Sequence, residues 1–468
     1  MSYPLEPNSA QMSEIGEAAL AFVADHIRGL PDAPASDVEG FEALIDRFRA
    51  GPPEVGGELA PRLADLDHAV SKSFNTAAPG YLAYIPGGGL YTAAIADFLA
   101  LGVNRYVGLW AASPLLVQME DSVVRWLCDL FGFPPESRGF LSSGGSMANF
   151  SAVVTARRAM LPEEFLDGVI YVTDQVHASV TKAAALAGFP KRSVQTVGTT
   201  PEHRMDVDAL RVMVRDDRKD GLKPFMVVAS AGTTNTGTVD PIAEIAEIAE
   251  LENLWLHVDG AYGGAFQMTQ RGSERFRGID KASSVTFDPH KGMFLPYGTG
   301  ALIVRDGAAL RFAHQSQADY LQDLAPDSDL PNYSEYSPEL SREFRGLRVW
   351  LPLQLHGVAA FREALDEKLD LARHVHESLS EIPGLEIPVE PDLSVVAFRL
   401  SSTGADDDEL NRRLLDLINA SGRVFLSSTV LDGRFTIRAA VLSHRTHLDR
   451  IDEAIDIIKS AVTLVAST

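Results

Sequence analysis

The sequence predicts an α/β protein: a large domain built on a mostly parallel sheet, followed by a smaller α+β domain. Three observations carry that reading. Short, nearly continuous apolar runs alternate with helix-like segments between residues 168 and 260, as expected for strands covered by helices on both faces. Two later runs, Trp255-Leu256-His257-Val258 and Ser284-Val285-Thr286-Phe287, end in chemically capable residues, Asp259 and then His290 and Lys291. Strand ends are where open α/β sheets hold ligands. After residue 351 the pattern changes to paired strands and single helices, a second and smaller unit. A chain of 468 residues is long enough for both.

The elements follow in order. Ile15, Ala18, Ala19, Phe22, Val23 and Ile27 recur at helical spacing over 13–28. Helices are also expected at 38–50, stopped by Gly51-Pro52-Pro53, and at 60–73. Three modest helices bury little core of their own, so residues 1–78 are expected to be an arm packed on the main body or on a second subunit. The stretch from Pro79 to Gly89 contains Tyr81, Tyr84, Ile85 and Pro86. It reads either as a turn-rich connection or as a pocket wall of rigid tyrosines. Helices at 90–102 and 115–130 flank a loop holding Trp110. Small residues, Ser142-Ser143-Gly144-Gly145-Ser146, then lead into a helix at 147–160. That is an anion seat at a helix N-terminus or a plain helix cap.

Strands are expected at 168–172, 193–197, 224–230 and 301–304, with helices at 177–188, 206–218 and 241–251. Residues 314–343, with Tyr320, Tyr333 and Tyr336, read as an irregular loop able to close over a site. A long helix from 345, interrupted near Pro352, enters the small unit. There strands are expected at 385–389, 393–400, 424–428 and 434–440, helices at 408–421 and 447–462, and Thr446 as the last helix cap. The resulting division is 1–78, 79–350 and 351–468.

Charge excludes some functions. With 41 basic and 64 acidic residues the formal charge is −23 and the pI about 4.9, a field that repels nucleic acid and anionic membranes. Cys128, the single cysteine, sits in an apolar run and reads as a core filler. No disulfide framework is possible within the chain, no signal sequence is read and no apolar run reaches about 20 residues. A cytoplasmic protein without a metal is expected.

Asp259 and Lys291 could form a buried ion pair. The sharper reading is a site for pyridoxal 5'-phosphate (PLP), whose aldehyde needs a lysine amine and whose ring nitrogen needs an acid.

The motifs Trp110-Ala111-Ala112-Ser113-Pro114, Asp174-Gln175-Val176-His177, Gly232-Thr233-Thr234, His257-Val258-Asp259-Gly260-Ala261-Tyr262 and Pro289-His290-Lys291 occur in this order. Through them nearly the whole chain resembles the group II PLP-dependent amino acid decarboxylases, nearer the aromatic branch than the glutamate branch. The resemblance implies an aspartate-aminotransferase-like (fold type I) enzyme and a homodimer with shared active sites. Lys291 is implied as the Schiff-base lysine, Asp259 as partner of the pyridine nitrogen, and His177 as the ring-stacking residue near the substrate carboxylate. Ala261 is implied on the opposite ring face, Thr234 or Thr233 near the ring substituents, and Gly145, Ser146 and His290 around the phosphate. Tyr333, with Tyr336 as rival, matches the loop phenol that protonates the substrate carbon. Tyr81, Tyr84, Ile85, Pro86 and Trp110 match the substrate pocket.

Three positions depart from the aromatic pattern. Asp288 stands where Asn is frequent, and an acid facing phosphate is unfavourable, so it is expected to point away or pair with a base. Gly87 and Gly108 replace larger residues, which implies an altered, wider pocket. Decarboxylation of an aromatic L-amino acid is the first expectation. The alternatives are an aldehyde-forming or other PLP reaction, a non-aromatic substrate such as glutamate, and a binding protein that keeps the scaffold alone.

Overall fold

The structure is a computed structural model and describes residues 5–315, 330–401 and 407–466. Seven strands form the larger sheet: β1 (Arg138–Ser142), β2 (Gly168–Thr173), β3 (Val194–Val197), β4 (Lys223–Ser230), β5 (Trp255–Gly260), β6 (Ser284–Phe287) and β7 (Gly300–Val304). Their spatial order is β1-β7-β6-β5-β4-β2-β3. Only β7 runs against its neighbours; every other pairing is parallel. The register sets Asp259 between Ser230 and Thr286, so the acid stands at the tips of three adjacent strands.

Sequence explains why these strands are central. Each of β2, β5 and β7 is buried along its whole length, which a run of Val, Ile and Leu tolerates only under helices on both faces. The helix Gly145–Met160 lies against the sheet through Ala148, Ala152 and Ala156; their small side chains let its backbone approach closely. A four-stranded antiparallel sheet, β8 (Leu385–Glu386), β9 (Val395–Leu400), β10 (Ser427–Leu431) and β11 (Arg434–Ala440), has the order β10-β11-β9-β8. It has its own core, with Phe398, Ile437, Leu414, Ile418 and Ile451.

The two units are stitched together. Phe425 N–H donates to the Gly80 carbonyl, and Leu82 N–H donates to the Phe425 carbonyl. This engagement is why the run at 424–426 does not belong to β10, which starts at Ser427. Gly80 has to be glycine there, because an ideal Cβ would lie 2.0 Å from the Arg423 carbonyl oxygen.

Several expectations are corrected. Strand β1 was not predicted; it is short and begins with a charge. The long helix spans Arg345–Ser380 and breaks at Gly357 (φ 72°, ψ 159°), not at Pro352, which it accommodates in a buried turn. Thr446 does not cap the last helix, Leu448–Ala466; its hydroxyl donates to the Pro79 carbonyl at 2.7 Å. Within the 314–343 segment Tyr333–Tyr336 is a short helix, and Tyr320 lies outside the described residues.

The N-terminal helix Ser9–Gly29 is capped reciprocally by Asn8 and Gln11 at 2.9 and 3.0 Å. It buries no residue and exposes Met12, Ile15, Leu20 and Val23. Among the described residues no helix is long and apolar enough to cross a membrane.

Candidate active site

A cavity of about 290 Å³ opens at the strand tips. Its walls include Gly145 and Ser146 from a helix start, His177, the loop residues Gly232, Thr233 and Thr234, then Asp259, Ala261, Asp288, His290 and Lys291. Each expected cofactor-binding residue therefore meets in one place. The strand ends deliver the acid and the lysine, and Gly260, the last residue of β5, leaves no room for a side chain, whose Cβ would lie 2.9 Å from the Thr286 carbonyl oxygen.

Asp259 is held firmly. One carboxylate oxygen accepts from the Ala261 N–H at 3.1 Å, the other from the Asn149 side-chain amide at 3.0 Å. Asn149 in turn accepts from His257 Nε2 at 3.0 Å and from the Thr286 hydroxyl at 2.7 Å. Burial drives the His257 pKa down to about 4, so its ring is neutral near pH 7.

Lys291 Nζ lies 3.0 Å from Asp288 Oδ2. Asp288 is 2% exposed and lines the cavity, and among the described residues its Oδ1 has no hydrogen-bond partner. Of the two expected outcomes, it has paired with a base while still facing the pocket. An ideal Cβ on Gly145 would stand 2.9 Å from Asp288 Oδ2 and 3.1 Å from the Ala261 methyl, so only glycine leaves this floor open. His290 Nδ1 donates to the Thr299 carbonyl at 2.7 Å, and burial lowers its pKa.

PLP fits these residues. A reactive amine and a fixed carboxylate stand in one cavity beside a side-chain-free floor at a helix start. A phosphate at that floor meets N–H groups left over by the first helical turn.

Other expected residues lie elsewhere. Tyr333 is fully buried in the core beneath the Arg342 guanidinium, 4.6 Å above its ring, and among the described residues its hydroxyl has no partner. Tyr336 is buried too, and neither lines the cavity. In the single chain Arg342, paired with Glu120 at 2.6 Å and with the Leu141 carbonyl at 2.8 Å, packs over this tyrosine.

Tyr81, Tyr84, Ile85, Pro86 and Trp110 do not line the cavity of the single chain. Tyr81 is buried against Phe425, with ring centroids 5.8 Å apart, and Trp110 N–H donates to Asn332. Tyr84 is half exposed and takes a positive φ of 52°. The segment still adjoins the lysine, since an ideal Cβ on Gly87 would be 3.1 Å from the His290 carbonyl and 3.0 Å from the Tyr297 ring. Gly108 does not widen this cavity; the Tyr106 hydroxyl stands 2.7 Å from where its Cβ would be.

Sequence reasoning did not single out Asn149, Ser179, Tyr297 or Arg438. The buried Arg438, its pKa lowered to about 10 by desolvation, donates to the Thr234, Asn235 and Tyr84 carbonyls. It clamps the pocket loop to the aromatic segment from the small unit.

Comparison with known proteins agrees with this geometry. Residues 56–401 match the family model of the pyridoxal-dependent decarboxylase conserved domain. An aromatic-L-amino-acid decarboxylase of Bacillus atrophaeus is 35% identical over 453 residues, covering 95% of this chain and 94% of that protein. A phenylacetaldehyde synthase of Petunia hybrida is 30% identical over 464 residues, covering 94% and 88%. The crystal structure of Oryza sativa TDC with PLP and tryptamine superposes with a TM-score of 0.94 at 26% identity, covering 99% of each chain.

Proposed function

Because this chain belongs to the pyridoxal-dependent decarboxylase family and catalyses PLP-dependent decarboxylation of an amino acid, we propose that its substrate is an aromatic L-amino acid, converted to the amine and carbon dioxide. One observation carries the site: Lys291, Asp259 and His177 line a single cavity at the strand tips. The Bacillus atrophaeus relative supports the aromatic class.

Within that reading each residue has a task. Lys291 would hold the cofactor aldehyde through its amine. Asp259, with one donor on each oxygen, holds its carboxylate fixed beside the ring nitrogen and keeps that nitrogen protonated. When bound, PLP supplies an electron-accepting ring that stabilises the carbanion left by departing carbon dioxide. Ala261 keeps one face of the ring position close, and His177 borders the other beside the substrate carboxylate. Gly145, Ser146 and His290 receive the phosphate, and Thr234 borders the ring substituents. Tyr84, Ile85 and Pro86, next to Gly87 and the lysine, are the wall offered to the substrate side chain, which Tyr297 extends.

The test is a panel of aromatic L-amino acids, glutamate and 2,4-diaminobutyrate given to the PLP-loaded protein, with carbon dioxide, amine, aldehyde and ammonia all measured. Aromatic amine with equimolar carbon dioxide is expected. Aldehyde and ammonia without amine would instead support the aldehyde-forming reaction that the Petunia hybrida relative's name describes.

We also propose a cytoplasmic homodimer with shared active sites, in which 1–78 is an arm, 79–350 the cofactor domain and 351–468 the small domain. Exposed Phe98 (69%) and Leu101 (66%) on the helix Tyr91–Val103, with the bare apolar face of Ser9–Gly29, support a partner surface. Light scattering that returned a monomer at micromolar concentration would sink the dimer.

A further inference from the structure

We propose that Ser179 and Asn149 are positioning residues that hold His177 with its proton on Nε2, the nitrogen available to the pocket, and join it to Asp259 in one hydrogen-bonded unit. The proposal rests on reading the cavity as the decarboxylation site.

The direction of each hydrogen bond follows from groups that can only donate or only accept. Asp259, an ionised carboxylate, accepts, so the group facing its Oδ2 at 3.0 Å must be the NH₂ of Asn149. That orientation turns Asn149 Oδ1 toward His257 Nε2 and the Thr286 hydroxyl, at 3.0 and 2.7 Å. His257 therefore carries its proton on Nε2. Being neutral, it accepts at Nδ1 from Ser284 Oγ at 2.8 Å, and Ser284 accepts from the Trp255 indole at 2.8 Å. Every donor along this buried line has an acceptor.

The second hydrogen of the Asn149 amide goes to Ser179 Oγ at 2.9 Å. Ser179 Oγ lies 2.7 Å from His177 Nδ1, and the Ser179 backbone N–H points to the same nitrogen at 3.2 Å. A backbone N–H can only donate. His177 Nδ1 is thus an acceptor, which leaves the ring N–H on Nε2. His177 is also the N-cap of the helix Ala178–Leu186, so one contact caps the helix and sets the tautomer.

Functionally, a neutral Nε2–H presents a donor toward a substrate carboxylate without requiring a charged ring. Because Asn149 divides its two hydrogens between Asp259 and Ser179, a shift of either carboxylate or histidine is felt by the other.

The experiment uses full-length, PLP-loaded protein with ¹⁵N-labelled histidine, the His177 signals being assigned by loss in His177→Gln. Wild type is expected to show a protonated Nε2 and a pyridine-like Nδ1. Ser179→Ala is expected to raise the Nδ1-protonated population about tenfold and to lower kcat about tenfold with KM within about twofold, the scale of one lost hydrogen bond. Ser179→Thr, which keeps the hydroxyl, is expected to restore both. A wild-type ring protonated on Nδ1 would overturn the proposal, as would a Ser179→Ala protein with wild-type spectrum and kcat. Since the tautomer is read without turnover, failure of the substrate panel would count against the reaction and leave the spectrum to judge the hydrogen bonds.

Discussion

Asp288 and Tyr333 are the residues at which sequence and structure diverge most usefully. Asp288 brings a negative charge to the side of the cavity where an anion is expected, and Lys291 balances it at 3.0 Å. That contact could be anticipated as one of two options, because a buried acid must find a base. Tyr333 could not be placed from sequence, since its position depends on Arg342 pairing with Glu120, 222 residues away. Its hydroxyl is buried without a partner among the described residues, so the ring contributes packing and the oxygen only a desolvation cost. Tyr333→Phe keeps the ring beneath Arg342 and is expected to stabilise the protein by up to about 1 kcal/mol, with the amine-to-aldehyde product ratio unchanged. Urea unfolding and product analysis check this; a switch to aldehyde would place Tyr333 in the chemistry.

At the level of elements, the strand tips were legible because apolar runs ending at Asp259 and Phe287 mark both the strands and their exits. What stayed hidden were junctions between elements. Asn149 sits on a helix 108 residues from His257, and its neighbours in sequence look like any small-residue helix start. Arg438 lies on β11, where its charge gave no sign that it would serve loop carbonyls in the other unit. The long helix shows a similar limit: proline drew the break to residue 352, yet a proline can sit in a bent turn, whereas the φ of 72° at Gly357 cannot be helical. An ideal Cβ at Gly357 meets nothing within 4 Å, so Gly357→Ala tests backbone strain alone. A loss of about 1–2 kcal/mol in urea unfolding is expected; no loss would mean that the two helical segments can straighten into one.

Over the whole molecule, buried titrating groups set the response to acid. Burial holds His257 and His314 at about 4 and His444 at about 3, against an ordinary value near 6.5. Near pH 5 the unfolded chain protonates all three and the folded chain none, so their contribution is present above pH 6.5 and is lost as pH falls toward 4. Asp240, raised by burial to about 6, has the opposite sign, because only the folded chain keeps its proton between about 4 and 6. These four groups alone, three against one, lower stability on acidification by about 3 kcal/mol per pH unit near pH 5. Calorimetry at pH 7 and pH 5 should show a lower midpoint at pH 5; an equal or higher one would mean that the native histidines take up protons. The strand order has a consequence of another kind. Edge strand β1, which leads into the Gly145 floor, joins the sheet only through β7, whose residues follow Lys291 in the chain. On the ribosome, β1 therefore cannot pair into the sheet until residue 304 has emerged. A nascent chain stalled before β7 should leave the cofactor in solution, and the vitamin-derived ligand enters as a late selector of finished molecules rather than as a template for early folding.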